Sequence, residues 1–183
     1  TRVESSAASD VYKRQTETVS ELNTLTGTNG AYTIVVASGD ATSTTAAQLN
    51  TLNGKTTVAV DLTNVTALAG SSLSDLETLA SAINANEFSN DSGLTTIAVT
   101  DTTIDATTLA STIDSYDAIG GTTDMTLASG ATINVDAGEI TEMLTDESAG
   151  RLTIVDQVIT VTGAISIDNA NLLGATTTGV VTA

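Results

Sequence analysis

The sequence predicts a repeat α/β solenoid, with about six 27-residue β-β-α units stacking parallel strands beside a column of short helices. Three observations predict it. Leucine pairs recur at a fixed period: Leu22 and Leu25, Leu49 and Leu52, Leu76 and Leu79 (49 − 22 = 27; 76 − 49 = 27). Between the pairs lie short stretches that alternate β-branched or aliphatic residues with Thr or Ala, the pattern of half-buried strands. Gly and Asp punctuate the stretches at turn positions.

The helical anchors continue as Ile113 with Tyr116, Ile140 with Met143, and Ile167 with Ala170. The step from Leu76 to Ile113 is one period plus ten, and the two later steps are one period each (113 − 76 = 37; 140 − 113 = 27; 167 − 140 = 27). The extra ten match one polar stretch, Asn84 to Gly93 (NANEFSNDSG), expected as a loop insertion. Each unit opens on a strand: Ile34 and Val36; Val58 and Val60; Ile97 and Val99; Met125 and Leu127; Leu152 and Ile154. A second apolar pair follows in most units: Val65 and Ala67; Ile104 and Ala106; Ile133 and Val135; Ile159 and Val161. Asp61, Asp101, Gly130 and Asp156 stand between the pairs as turn formers.

The helices begin at capping sequences such as Ser72 with Asp75 and Asp136 with Glu139, where a side-chain acceptor is followed three residues on by a carboxylate. Leu73, Leu76, Leu79, Ala80 and Ile83 then mark one helical face. Gly27, Gly54, Gly120 with Gly121, Gly150 and Gly174 are expected to end helices in left-handed caps. Two or three helical turns do not persist alone, so packing between units must hold them. The expected stack has two parallel sheets and a helix column. Strands advance about 4.8 Å per rung and packed helices about 10 Å, a mismatch that leaves a compact α/β layer packing as the alternative.

Ser5 to Gln15 read SSAASDVYKRQ, which resembles the translation of a transposase-type sequencing-library adapter. Residues 1–15 are therefore expected to be a non-native, disordered segment, with the repeat array over 16–183 as a fragment of a longer chain. Without that segment, Lys55 and Arg151 face twenty carboxylates (22 less Glu4 and Asp10). Such a charge disfavours nucleic acid and anionic membranes. It attracts divalent cations and tolerates salt. The chain is 40% apolar in a patterned way, unlike a disordered acidic tail. There is no cysteine for a disulfide framework, and no apolar run reaches the ~20 residues of a membrane span.

The stretches LNTLNGKTTVAVD (49–61) and LTTIAVTDTTIDATTLASTID (94–114) resemble the Thr/Ala/Asp-rich strand repeats of very large secreted or surface, adhesin-like proteins of marine bacteria, cyanobacteria included. The resemblance implies an extracellular or cell-surface location and an adhesive or structural role, in some such proteins with calcium. The glycine-rich GGxGxD calcium repeat of many of them is absent; Gly120-Gly121-Thr122 comes nearest and lacks the later Gly and Asp.

Chemistry-bearing motifs are few. No histidine is present to serve as base or metal ligand, and the Ser and Thr hydroxyls have no imidazole to activate them. No catalytic or cofactor-binding residues are assigned, and no enzyme activity is expected. Lys55, in Asn53-Gly54-Lys55, reads as a solvated turn lysine, and Arg151 as a cation beside a helix C-terminus. Asp61, Asp101 and Asp156 close equivalent strands and are the weak calcium candidates, against the ordinary reading of a strand-end Asp as an Asx turn. Phe88 is expected to fold back onto the preceding helix.

The expected function is a structural or adhesive repeat segment acting as spacer or display surface. Its partners are neighbouring repeats of the same chain, with surface glycans or other cells beyond them. The alternative is a carbohydrate-active solenoid using paired carboxylates, which requires two carboxyl groups about 5–10 Å apart in a cleft. Open ends predict end-to-end association.

Overall fold

The computed structural model describes residues 14–26, 30–119 and 123–183. The expectation of disorder over residues 1–13, and the caps assigned to Gly27, Gly120 and Gly121, lie outside these residues. Arg14 and Gln15, expected in the disordered segment, belong to a strand whose backbone pairs with Thr33 and Ile34.

Six α-helices follow one another: α1 (Val19–Leu22), α2 (Ala46–Asn53), α3 (Leu73–Asn84), α4 (Ala106–Asp117), α5 (Ile140–Ser148) and α6 (Ile167–Thr176). The first three begin at Thr18, Thr45 and Ser72, each one period after the last. Each of these hydroxyls accepts from the backbone N–H three residues on, at Glu21, Gln48 and Asp75. The Glu21 and Gln48 side chains reach back to complete reciprocal capping boxes. Asp105 and Ser166 cap α4 and α6 in the same way. At α5 the expected Asp136 cap is displaced: the helix starts after Glu139, whose carboxylate accepts from the Asp136 N–H at 3.1 Å.

A second acceptor arrives at each early helix from the unit that follows it. Val19 N–H donates to Asp40 Oδ2 (2.6 Å), Ala46 N–H to Ser71 Oγ (2.9 Å) and Leu73 N–H to Asp101 Oδ2 (2.8 Å). These first-turn N–H groups have no partner within their own helix, so the next unit satisfies them. Each helix from α1 to α4 packs against its successor.

The strands are β1 (Arg14–Glu17), β2 (Thr33–Val36), β3 (Val60–Asp61), β4 (Ala67–Ser71), β5 (Phe88–Ser89) and β6 (Thr96–Val99). Six more follow: β7 (Thr103–Asp105), β8 (Asp124–Leu127), β9 (Thr132–Asp136), β10 (Leu152–Thr153), β11 (Val158–Thr162) and β12 (Val181–Thr182). They form three four-stranded sheets, ordered β1-β2-β3-β5, β4-β6-β8-β10 and β7-β9-β11-β12. Every named pairing is parallel. The pairings that join strands between β2 and β11 link residues close to one period apart in the chain, as Val35 with Asp61, Thr96 with Asp124 and Thr103 with Thr132.

Three sheets replace the expected two, and the polar stretch 84–93 is where they exchange. It is not loop throughout: β5 closes the first sheet there, and a short 3-10 turn follows at Asp91–Gly93. The strands β5, β6 and β7 then place one strand in each sheet before α4. The apolar pairs at Ile34 and Ile97, expected in equivalent first strands, therefore sit in different sheets. Ile97 pairs instead with Leu68, from the strand that directly precedes α3.

Inward residues merge into one hydrophobic cluster that takes in Leu22, Leu49 and Leu76 from the helices and Ile34, Ile97, Ile133 and Ile159 from the sheets. Phe88 is buried in this cluster beside α3. Val58 is 38% exposed and stands outside it; β3 begins only at Val60. Tyr116 is enclosed and donates its hydroxyl to the Leu76 carbonyl at 3.1 Å, so α4 is tied to α3. Of the described cap glycines, Gly150 alone adopts the left-handed conformation, at φ +72° after α5. Gly54 is right-handed (φ −65°) and Gly174 lies within α6.

Candidate functional site

The carboxylates singled out from the sequence are committed to backbone and neighbouring turns. Asp61 Oδ1 accepts from Thr63 N–H (2.9 Å), Thr63 Oγ1 (2.7 Å) and Asn90 Nδ2 (2.9 Å), an Asx turn braced from the next unit. Asp101 satisfies the first N–H of α3. Asp156 accepts from Ser129 Oγ (2.5 Å), Gly130 N–H (3.2 Å) and Gln157 Nε2 (3.2 Å). The Ser129 bond, then the Gly130 bond, holds its carboxyl below the usual range. Asp61 belongs to the first sheet; Asp101 and Asp156 sit in links between the second and third sheets. Among the described residues, no group of three or more His, Cys, Asp or Glu is placed to hold a metal ion.

Lys55 and Arg151 are also tied in. Arg151 spans Asp117 at 2.6 Å and Asp146 at 2.5 Å. Asp146 is 3% exposed, and burial pushes its carboxyl up, with the Arg151 charge opposing that rise. The Asp117 hydrogen bond in turn raises the Arg151 guanidinium. Sequence reasoning passed over Asp146; its place at the position that holds Leu52 in α2 and Leu79 in α3 was the available signal. Lys55, expected as a solvated turn residue, is half-buried and donates Nζ to the Leu25 carbonyl at 2.9 Å.

Two hollows stand out. The larger, about 520 Å³, lies between the C-terminal ends of α2 and α3 and is lined by Asn53, Thr56, Val58, Asn86 and Glu87 among others. Glu87 is its one carboxylate, and it accepts from Asn53 Nδ2 at 2.5 Å. The second, about 360 Å³, carries Asp156 as its one carboxylate. The paired carboxyl groups required for glycosidic cleavage are not supplied by either lining.

The most regular exposed feature is the outer side of the third sheet. Ile104, Ile133, Val135, Ile159 and Val161 point into the core. The alternate positions face out in register: Thr103 beside Thr132, Asp105 beside Asn134 beside Thr160 beside Thr182, and Asp136 beside Thr162. Neighbouring strands set these rows about 4.8 Å apart, and alternate residues repeat about 6.6 Å along each strand. The result is a grid of hydroxyl, amide and carboxylate groups carried on a buried aliphatic layer.

No protein-family model matches the chain, and neither curated proteins nor solved structures give a match. No helix among the described residues is long and apolar enough to cross a membrane.

Proposed function

We propose that this chain is a repeat α/β solenoid segment of a large secreted or cell-surface bacterial protein, serving as a spacer that displays a polar surface. One observation carries the reading: the same bonds recur one period apart. Asn23 Nδ2 donates to the Gln48 carbonyl and Asn50 Nδ2 to the Asp75 carbonyl. Thr18, Thr45 and Ser72 repeat one cap, and Leu22, Leu49 and Leu76 repeat one buried anchor. Bonds that connect a unit to its successor make length the variable property of such a chain. The in-register outer grid of the third sheet supports display, and its partners on this reading are glycans or other polymers bearing many hydroxyls.

Two experiments test it. Deletion of residues 45–71, one period, joins Thr44 to Ser72 and is expected to leave a cooperatively unfolding protein; a chain with one non-repeating core would lose its fold. For display, beads coated with the chain are assayed on intact cells and immobilised polysaccharides. Thr132→Lys with Thr160→Lys is expected to abolish capture without changing Tm. Equal capture by the variant would overturn the assignment of that sheet.

A further inference from the structure

We infer that the hollow beside Glu87 is a binding site for an aliphatic primary ammonium. Two hollows meet at this residue. The larger, about 520 Å³, and a neighbour of about 300 Å³ both take Asn53, Ala85 and Glu87 into their walls. Hollows of this size suit a small organic ligand. Helix α2 ends at Asn53 with Gly54 as its cap, and α3 ends at Asn84 with Ala85 as its cap, so two C-terminal ends converge here. Those ends carry the negative pole of the helix dipole. Neither helix has a basic residue in its last turn. Lys55 follows Gly54 directly, but its ammonium is held by the Leu25 carbonyl of the preceding unit. Among the described residues, no Lys or Arg pairs with Glu87.

Hydrogen-bonding capacity points the same way. Every side-chain donor group in the wall of the smaller hollow is engaged within the protein. Asn50 Nδ2 donates to the Asp75 carbonyl and Asn53 Nδ2 to Glu87, while the Thr78 and Ser81 hydroxyls donate to the Ser74 and Glu77 carbonyls. The acceptors are in surplus: among the described residues, Asn50 Oδ1 receives no hydrogen bond, and the Glu87 carboxylate receives one, from Asn53. Such a wall selects a ligand that donates without needing to accept, as an ammonium does. Calcium fits it poorly, because one carboxylate falls short of the oxygen set that this ion collects. The larger hollow adds Ala59 and Val58, the latter 38% exposed. An alkyl chain laid over them removes that apolar surface from water.

The chain already seats one ammonium in this manner. Lys55 reaches back across one unit to the Leu25 carbonyl, just beyond α1, and is half-buried there. One period on from Lys55 stands Ala82, which lines the smaller hollow and brings no charge. An external ammonium thus takes beside α2 the part that Lys55 takes beside α1. The net charge of −17 draws in any cation; aimed acceptors and an apolar floor are what single out an alkylammonium.

The test is a titration of the intact chain with pentylammonium chloride at low salt, read from backbone amide NMR shifts. Saturable shifts are expected at Gly54, Val58 and Ala85. Pentanol, which lacks the charge, and tetramethylammonium, which lacks the N–H donors, are expected to leave them in place. Glu87→Gln keeps an acceptor for Asn53 at an exposed position, so folding is retained, and it is expected to raise Kd by about tenfold or more. Asp168→Asn, exposed on α6, removes the same charge elsewhere and leaves Kd unchanged. Competition by Nα-acetyl-lysine amide would assign the ammonium to lysine side chains of a partner protein; failure to compete would assign it to a free amine, and the site stands in either case. Shifts that never saturate with pentylammonium would overturn the inference. So would equal binding of tetramethylammonium, or a Kd indifferent to Glu87→Gln.

Discussion

Asn50 donates its side-chain Nδ2 to the backbone carbonyl of Asp75, 2.9 Å away on the next helix. Asn23 does the same toward Gln48 at 3.3 Å, one period earlier. The two bonds cross the interface that α1, α2 and α3 share, and they pair a polar side chain with a first-turn carbonyl in an otherwise aliphatic column. Asn50→Ala is expected to cost about 1–1.5 kcal/mol, the ordinary range for losing such a bond. Thr51→Ala, one residue on and exposed, should stay within about 0.5 kcal/mol. Urea unfolding of both variants checks the difference; equal losses would show that the helix column does not depend on this contact.

The buried acidic group of α5 depends on its cation. Arg151→Ala leaves Asp146, 3% exposed, beside Asp117 with no counter-charge from Arg151. A loss of about 2–3 kcal/mol is expected, somewhat below the range for fully buried pairs because the Arg151 side chain is 25% exposed. Replacing both partners, Asp146→Leu with Arg151→Met, should recover most of it. Failure of the double variant to recover would mean that the pair contributes through geometry and not through charge compensation.

Stability should change with pH in two directions. Burial raises the Asp146 carboxyl above its ordinary 3.8, so the folded state takes up a proton more readily than the unfolded chain. Its contribution grows as pH falls through the raised folded value toward the unfolded one. Glu21 and Asp156 are lowered, chiefly by the Thr18 and Ser129 hydroxyls, and theirs is lost as pH falls below about 4. Tm is therefore expected to rise as pH falls from neutral toward the raised Asp146 value and to decline below about 4. Relief of the net −17 charge acts in the same upward sense. A Tm that falls monotonically from neutral pH would contradict the assignment of Asp146.

Metal should not alter the role of Asp101. Its carboxylate satisfies the Leu73 N–H at 2.8 Å, a capping contact. Asp101→Ala is expected to cost about 1 kcal/mol. The loss should be equal in millimolar calcium and in chelator, read as the shift in thermal midpoint. A calcium-dependent midpoint in the parent protein that disappears in the variant would show Asp101 to be a ligand.

The core prediction separates two residues that sequence pattern treats alike. Ile97 is fully buried between Leu68 and Met125 of the adjacent strands, while Val58 is 38% exposed. Ile97→Ala should cost about 3 kcal/mol and Val58→Ala about 0.5 kcal/mol or less. Comparable costs at both sites would place Val58 in a buried strand after all.

Much of this architecture is legible in the sequence because helix faces and strand alternation are local. The cap at Ser72, the anchors Leu49 and Leu76 and the alternation around Ile133 and Ile159 each depend on a few adjacent residues. The parallel α/β class follows from them. Which strands become neighbours does not, since Ile34 and Ile97 carry the same local pattern and only long-range pairing assigns them to separate sheets. The stretch 84–93 misleads for the same reason: its polar composition suits a loop, yet Phe88 has a buried site waiting beside α3.

The candidate chemistry divides along that line as well. Composition alone determined that histidine and cysteine chemistry is missing, and that the chain is strongly acidic. Tertiary structure decided what the individual charges do. Asp61, Asp101 and Asp156 could be ligands or turn formers by spacing, and only the positions of Thr63, Leu73 and Ser129 commit them to hydrogen bonds. Arg151 could have capped a helix in water; the fold brings it against Asp146, where removal from solvent makes their pairing necessary. The physical reason is common to all of these cases. Propensity and periodicity act over a turn or a strand, whereas desolvation depends on which distant segment closes over a group.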